Sequence, residues 1–438
     1  MATGQAVALD NCDKLSKQSN IQLCVVVDKE GEPLPRGVHA HGQDSWWRQL
    51  IKFVGYFIQC LSTKLGVATG MHLAEHCRLE YPRYKRITLW AIGELGIITC
   101  DMVEVIGGAV AFQTLTNGAI PLYAGVILVV ATTFCALYLE RIGMRALEAV
   151  FFALLGTMAG TFGFLFFTAG VDYGQVAKGL VVPRMDSDNI SFAVGAMGAM
   201  LMPYNLYLQS DLMDKTTRPR ALRFFKIESA AALLVSLMIN IFIISVFACG
   251  FEGNNSVGLG NAGRMLGDLF GRHMQYIWGV GLLAASHAAS ITSTFAGQLL
   301  MDGYFGIKVS VWWRTALVRA VTLGPTLLVA IVLGKQNDSF EGFTEWLNVS
   351  QSLVLPFVVI PLLVMTSTSR IMGDFVNSKW HTGIMSVIIV FLLGMNGYLA
   401  VTFSTDKLPD YVYAKALFWI AAAIYCFLIV YLCITPQR

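Results

Sequence analysis

Apolar stretches of roughly twenty residues recur from about residue 86 to the C-terminus, divided by short polar connections. A helix of about that length crosses a hydrocarbon core of roughly 30 Å. The pattern predicts spans near 86–115, 118–138, 142–169, 190–210, 226–250, 275–302, 314–334, 345–367, 382–403 and 416–434. A weaker segment lies near 47–69, where Arg48, Lys52 and Lys64 leave an uncharged run only from Phe53 to Thr63. That run is short for a span. Three accounts fit it: neighbouring helices carry it in, it lies partly in the interface, or a preceding span is missing. A spanning β-barrel would show segments of about ten residues with alternating polarity instead. The expected fold is an all-α polytopic membrane protein of about 11 helices. Residues 1–45 read as a flexible polar tail and 46–438 as the transmembrane domain.

Composition sharpens this picture. The 438 residues are 55% hydrophobic and 13% charged, with a mean hydropathy of +0.61. Soluble chains carry about 25% charged residues. A net charge of +3 spread over loops gives nucleic acid no footprint. The nine cysteines are scattered, with no C-x-x-C pair, so neither a disulfide framework nor a zinc site is expected. No apolar leader core opens the chain. Lys and Arg crowd into the connections at 78–86, 141–145, 215–226, 308–314 and 370–379. By the positive-inside rule these connections, and the C-terminus with them, are cytosolic.

Several polar residues interrupt the apolar spans. In Gly198 to Ser210, G-A-M-L-M-P-Y-N-L-Y-L-Q-S, Pro203 cannot donate a hydrogen bond, which frees the carbonyl of Ala199 four residues earlier. Met202 adds a thioether and Asn205 an amide oxygen. Freed backbone at membrane depth survives only against protein or a water-lined cavity, and transporters bind ions at such breaks. Carbonyl, thioether and amide suit a cation. A proline kink packed by Met and Tyr accounts for the same residues.

The span at 86–115 carries Glu94, Asp101 and Glu104 at spacings that put all three on one helical face. Each charge at a helix centre costs roughly 2.5–3.5 kcal/mol, so such residues line ion or proton routes or pair with an opposite charge. Arg319 is the candidate partner. Three carboxylates exceed what one arginine needs, which favours a route over a static pair. Gln351 opens a span that also holds Pro356 and Pro361, again joining an amide to backbone irregularity. His287, Asn240 and Asn396 read as hydrogen-bonded packing residues. H-L-A-E-H at 72–76 is not the metalloprotease H-E-x-x-H and reads as a solvated helix end. The chain shows no nucleophile elbow, P-loop or dinucleotide fingerprint, so no enzyme activity and no bound cofactor are expected.

These segments resemble the Nramp family of divalent-metal transporters, plant members above all. The resemblance rests on G-A-M-L-M-P-Y-N at 198–205, L-G-V-A-T-G-M-H-L-A-E-H-C-R at 65–78 and S-T-F-A-G-Q-L-L-M-D-G-Y at 293–304. It rests also on L-V-L-P-F-V-V-I-P-L-L at 353–363 and S-R-I-M-G-D-F at 369–375. It implies a LeuT-type bundle of two inverted repeats and proton-coupled movement of Mn2+, Fe2+ and related ions. It implies that the Ala199 carbonyl and the Met202 sulfur face the metal and that Gln351 lines the pocket. Asp101, Glu104 and Arg319 would belong to the proton or charge-compensation route. The sequence departs from the family twice. Tyr204 stands where the family has histidine, and a phenol does not titrate near neutral pH. The D-P-G-N motif of the family's first helix has no counterpart before residue 47, so the first repeat is expected to be incomplete. The expected partners are divalent metal ions, protons and the lipid bilayer, either a plasma membrane or an endomembrane. The alternatives are a transport-deficient Nramp-like protein (a truncated product, sensor or regulator) and another LeuT-type carrier. The thioether of Met202 argues against the last.

Overall fold

The computed structural model describes residues 45–140, 144–168, 173–181, 190–211, 218–250, 258–307, 310–332, 337–406 and 411–434. The expected polar tail, and the motif missing ahead of residue 47, fall almost wholly outside them. The described residues form helices α1 (Ser45–Thr69), α2 (Leu73–Glu80), α3 (Arg83–Leu115), α4 (Leu122–Glu140), α5 (Met144–Thr168) and α6 (Tyr173–Val181). There follow α7 (Ile190–Leu201), α8 (Pro203–Asp211), α9 (Arg218–Gly250), α10 (Ala262–Phe270) and α11 (Arg272–Phe305). Then come α12 (Val311–Val332), α13 (Asn337–Thr366), α14 (Ser369–Met372), a 3-10 turn (Gly373–Phe375), α15 (Lys379–Asp406) and α16 (Val412–Ile434). Every span expected from the sequence coincides with a helix or, at 190–210, with a broken pair.

Among the described residues six helices are long and apolar enough to cross a membrane. They divide by burial. The apolar window of α3 is 78% buried inside the protein and that of α13 is 83%, against 11% for α9 and for α16. Thus α3 and α13 form the centre, packed on each other and on α7 and α11. The outer helices present side chains such as Phe427, Leu417 and Ile227 outward. This inversion of the soluble-protein pattern suits a bilayer, where an apolar surface needs no covering.

The weak segment at 47–69 is one continuous helix, α1, and its neighbours carry it. Ile58, Leu61 and Leu65 are buried in the central cluster. Lys52 Nζ donates to Ser236 Oγ at 3.2 Å, and Lys64 Nζ donates to Asn377 Oδ1 at 2.8 Å. The two lysines that shorten the apolar run are therefore satisfied by α9 and by the loop before α15.

In α13 the prolines leave carbonyls without helical donors. Pro356 cannot serve the carbonyl of Ser352. Asn396 of α15 fills the gap: its Nδ2 donates to Ser352 O at 3.1 Å while its Oδ1 accepts from Ser352 Oγ at 3.0 Å. Asn396 is a packing residue with a specific task, to repair the break next to Gln351.

Candidate functional site

The apolar run of α7 ends at Leu201, Met202 is not helical, and α8 starts at Pro203. Proline suits this first helical position because its missing N–H would be unpaired there anyway. The Met202 carbonyl accepts from Asn205 N at 3.0 Å, which closes the first turn of α8 and places Asn205, partly buried, within it.

Two glycines set the break against its supports. A Cβ on Gly198 would overlap the carbonyl oxygen of Asn348 and come within 2.6 Å of Ser352 N and 3.1 Å of Gln351 Cβ. So the end of α7 touches the backbone of α13. A Cβ on Gly66 would overlap the carbonyl of Ser210, so α8 touches the backbone of α1. The same groove of α1 holds α8 by side chains: Ser62 Oγ donates to Leu206 O at 2.5 Å, and Gln209 Nε2 donates to Thr63 Oγ1 at 3.1 Å.

Gln351 is 1% exposed. Its Oε1, like Asn348 Oδ1 one turn earlier, is buried with no hydrogen-bond donor among the described residues. A buried carbonyl without a donor costs about 1–3 kcal/mol. Two such oxygens on the face of α13 that meets α7 give the break an electron-rich wall suited to a cation. The sequence reading named Gln351 and missed Asn348, although the spacing of three puts both on one face.

Tyr204 is buried, and its hydroxyl lies 3.2 Å from Met202 Sδ and 3.3 Å from Glu104 Oε1, its one proton shared between the two acceptors. Glu104 also accepts from Cys100 Sγ at 3.3 Å and from Ser293 Oγ at 3.1 Å. The helix break and the acidic face of α3 are thus joined through one phenol. Cys100 and Ser293 were not read from the sequence; the spacing of four between Cys100 and Glu104 was the available signal.

The three carboxylates of α3 share a face, as their spacing predicts, and they have different partners. Arg319 Nη1 lies 2.6 Å from Asp101 Oδ1, with both side chains almost wholly buried. Thr322 Oγ1 donates to Asp101 Oδ2 at 2.8 Å. Glu94 pairs with a second arginine: Arg314 Nη2 reaches its two oxygens at 2.8 and 2.9 Å. Arg314 had counted only as a charge of a cytosolic connection. A small recess between α3, α11 and α12 is lined by Asp101, Ser293, Arg314 and Arg319. It links the two ion pairs to the serine that serves Glu104.

His287 packs as expected, with ring nitrogens 2.9 Å from Leu283 O and 2.7 Å from Thr132 Oγ1. Asn240 lies partly buried on α9. The reading of H-L-A-E-H as a solvated helix end is corrected. His72 and His76 are both buried, because α2 is pressed between α8 and α11. Glu75 Oε2 accepts from His72 N at 3.1 Å, and His76 Nε2 shares a hydrogen bond of 2.9 Å with Thr69 Oγ1. The Ser210 hydroxyl accepts from Leu73 N at 3.0 Å, at the first turn of α2, and donates to Tyr207 O at 2.7 Å.

Burial lowers the pKa of His76 to about 4, against smaller opposing attraction from Glu75. Burial lowers that of His72 too, opposed by Glu75, Asp211 and Asp302. An unfolded histidine takes up its proton near pH 6.5. Between that pH and about 4 the unfolded chain binds a proton that the folded His76 refuses, so stability falls as pH drops through this window. Going from pH 7 to 5 should remove about 2 kcal/mol through His76. Thermal unfolding in detergent across this range checks it: His76→Gln should flatten the slope.

Among the described residues no group of three or more His, Cys, Asp or Glu side chains is placed to hold a metal ion.

A multi-pass helical membrane protein with a broken helix packed between α1 and α13 has the architecture of LeuT-type carriers. The family described as natural resistance-associated macrophage protein-like, Nramp, matches residues 45–402. The chain belongs to the Nramp family. It is 40% identical over 390 residues to the metal transporter Nramp3.1 of Populus trichocarpa, covering 86% of this chain and 78% of that one. It is 40% identical over 361 residues to the metal transporter nramp1 homolog of Dictyostelium discoideum, covering 80% and 67%. Among solved structures, the Eremococcus coleocola manganese transporter bound to an aromatic bis-isothiourea substituted compound superposes with a TM-score of 0.76. It is 23% identical, with 91% of this chain and 89% of that one covered. MhsT in complex with L-phenylalanine superposes with a TM-score of 0.57 at 15% identity, over 82% and 93%.

Proposed function

We propose that this chain moves divalent transition-metal ions, Mn2+ and Fe2+ among them, across a membrane, and that the ion binds at the break between α7 and α8. Family membership and the names of the plant and Dictyostelium relatives support the substrate class. The observation that carries the site is Gln351 Oε1, buried and without a donor on the helix that the break packs against. The Ala199 carbonyl and the Asn205 amide would supply further oxygens. Met202 would supply the soft ligand that separates transition metals from Ca2+ and Mg2+.

Proton coupling would use the acidic face of α3. Glu104 touches the break through Tyr204, and Ser293 leads from Glu104 to the recess beside Asp101 and Arg319. Asp101, Arg319 and the Glu94–Arg314 pair would compensate charge along that route. The bilayer is the required setting, because the outer helices carry bare apolar side chains.

Radiolabelled Mn2+ uptake into proteoliposomes tests the reading. The wild-type chain should accumulate Mn2+, with uptake rising when the outside is acidified. Met202→Ala should reduce uptake by at least roughly tenfold, the scale of losing one element of a metal site. Uptake no greater than in empty liposomes would sink the transport reading and leave a protein that keeps the fold for another role.

A further inference from the structure

Tyr204 is fixed in place. Its ring is 3% exposed and packs in the central apolar cluster, so only its O–H can rotate. The hydroxyl lies 3.2 Å from Met202 Sδ and 3.3 Å from Glu104 Oε1. Glu104 has other donors, since Cys100 serves Oε1 and Ser293 serves Oε2. Met202 Sδ has no other donor among the described hydrogen bonds. The one phenolic proton is shared between the carboxylate and the sulfur, and of these two acceptors only the sulfur has no other donor.

A thioether is a weak acceptor, and a hydrogen bond to it draws electron density from the same sulfur that a soft cation would use. Hard ions such as Mn2+ depend on oxygens, here the Ala199 carbonyl and the Asn205 and Gln351 amides. Softer ions such as Cd2+ depend on the sulfur. A donor fixed on the sulfur therefore handicaps soft ions more than hard ones.

We propose that the Tyr204 hydroxyl, by hydrogen-bonding the Met202 sulfur, tunes the site away from soft divalent ions and toward Mn2+-like ones. The proposal rests on the reading of Met202 as a metal ligand. Tyr204 is a positioning residue in it: it acts through the sulfur and touches no cargo. Its phenol cannot be replaced by just any bulky side chain, because the effect lies in one O–H group.

The test compares Cd2+ and Mn2+ uptake by the full chain in proteoliposomes, with KM and maximal rate measured for each ion. Tyr204→Phe keeps the ring and removes the donor. It should lower the KM for Cd2+ relative to that for Mn2+ by roughly fivefold, the equivalent of one ordinary hydrogen bond, with a smaller change in maximal rate. Tyr204→Leu should shift the ratio in the same direction and stands in if the first variant folds poorly. In a Met202→Ala background the Tyr204→Phe change should leave the ratio where Met202→Ala alone puts it. If Met202→Ala raises the KM for Cd2+ but Tyr204→Phe leaves the ratio unchanged or moves it toward Mn2+, the tuning role is overturned and the ligand reading stands. If Met202→Ala leaves the KM for Cd2+ unchanged, the ligand reading falls and the tuning role with it.

Discussion

Gly198→Ala should stop metal uptake and destabilise the protein, although it adds a single methyl group. That methyl would overlap the carbonyl oxygen of Asn348 and press on Ser352 N at 2.6 Å. Both are main-chain atoms of α13, so no side-chain rotation relieves the contact. The end of α7 must move off α13, and the Met202 break moves away from Gln351 with it. Overpacking of a tight interface costs about 1–3 kcal/mol, and the loss of function should be larger than the loss of stability implies. Gly383→Ala on α15 is the control, because nothing lies within 4 Å of its added methyl. Alanine is the better helix former by up to about 1 kcal/mol, so the control should be as stable as the wild type or more so. Uptake and thermal unfolding of both variants decide the matter. Gly198→Ala with normal uptake would show that close contact between α7 and α13 is dispensable.

Breaking the pair of Asp101 and Arg319 should be the costliest electrostatic change in the molecule. Both side chains are almost wholly buried and 2.6 Å apart. Removing one partner of a buried pair leaves the other charge uncompensated, at about 3–5 kcal/mol, whereas replacing both with neutral groups is often nearly neutral. Arg319→Met and Asp101→Asn should therefore each lower thermal stability sharply, and the double variant should regain most of it. Coupled transport should stay lost in all three if the pair compensates charge on the proton route. A double variant that recovers both stability and pH-driven uptake would make the pair a static lock between α3 and α12.

The fold was legible because a bilayer imposes its thickness on the chain. Long apolar runs became α3, α9, α11, α12, α13, α15 and α16, with α9 and α13 starting eight residues earlier than expected, and Pro203 marked the break by removing a donor. The shared face of Glu94, Asp101 and Glu104 followed from helical spacing alone. What could not be read depended on which helices meet. Arg314 sits near a helix start and looked like one more loop charge, until α12 was laid beside α3 and brought it to Glu94. H-L-A-E-H looked solvated because its residues are polar, yet α8 and α11 bury it. The Tyr204 contact with Met202 depends on the turn geometry at the break, which local sequence does not determine.

The Ser210 hydroxyl serves two elements at once, holding the first turn of α2 by Leu73 N and its own helix by Tyr207 O. With Gly66 allowing backbone contact on the other side, α8 is held between α1 and α2. Any tilt that opens the break must either drag α2 along or strip the first turn of α2 of its acceptor. A movement of α8 would thus carry α2 with it as a two-helix plate rather than swing a half-helix. The protection of one amide, that of Leu73, against hydrogen exchange becomes a gauge of how often the plate moves.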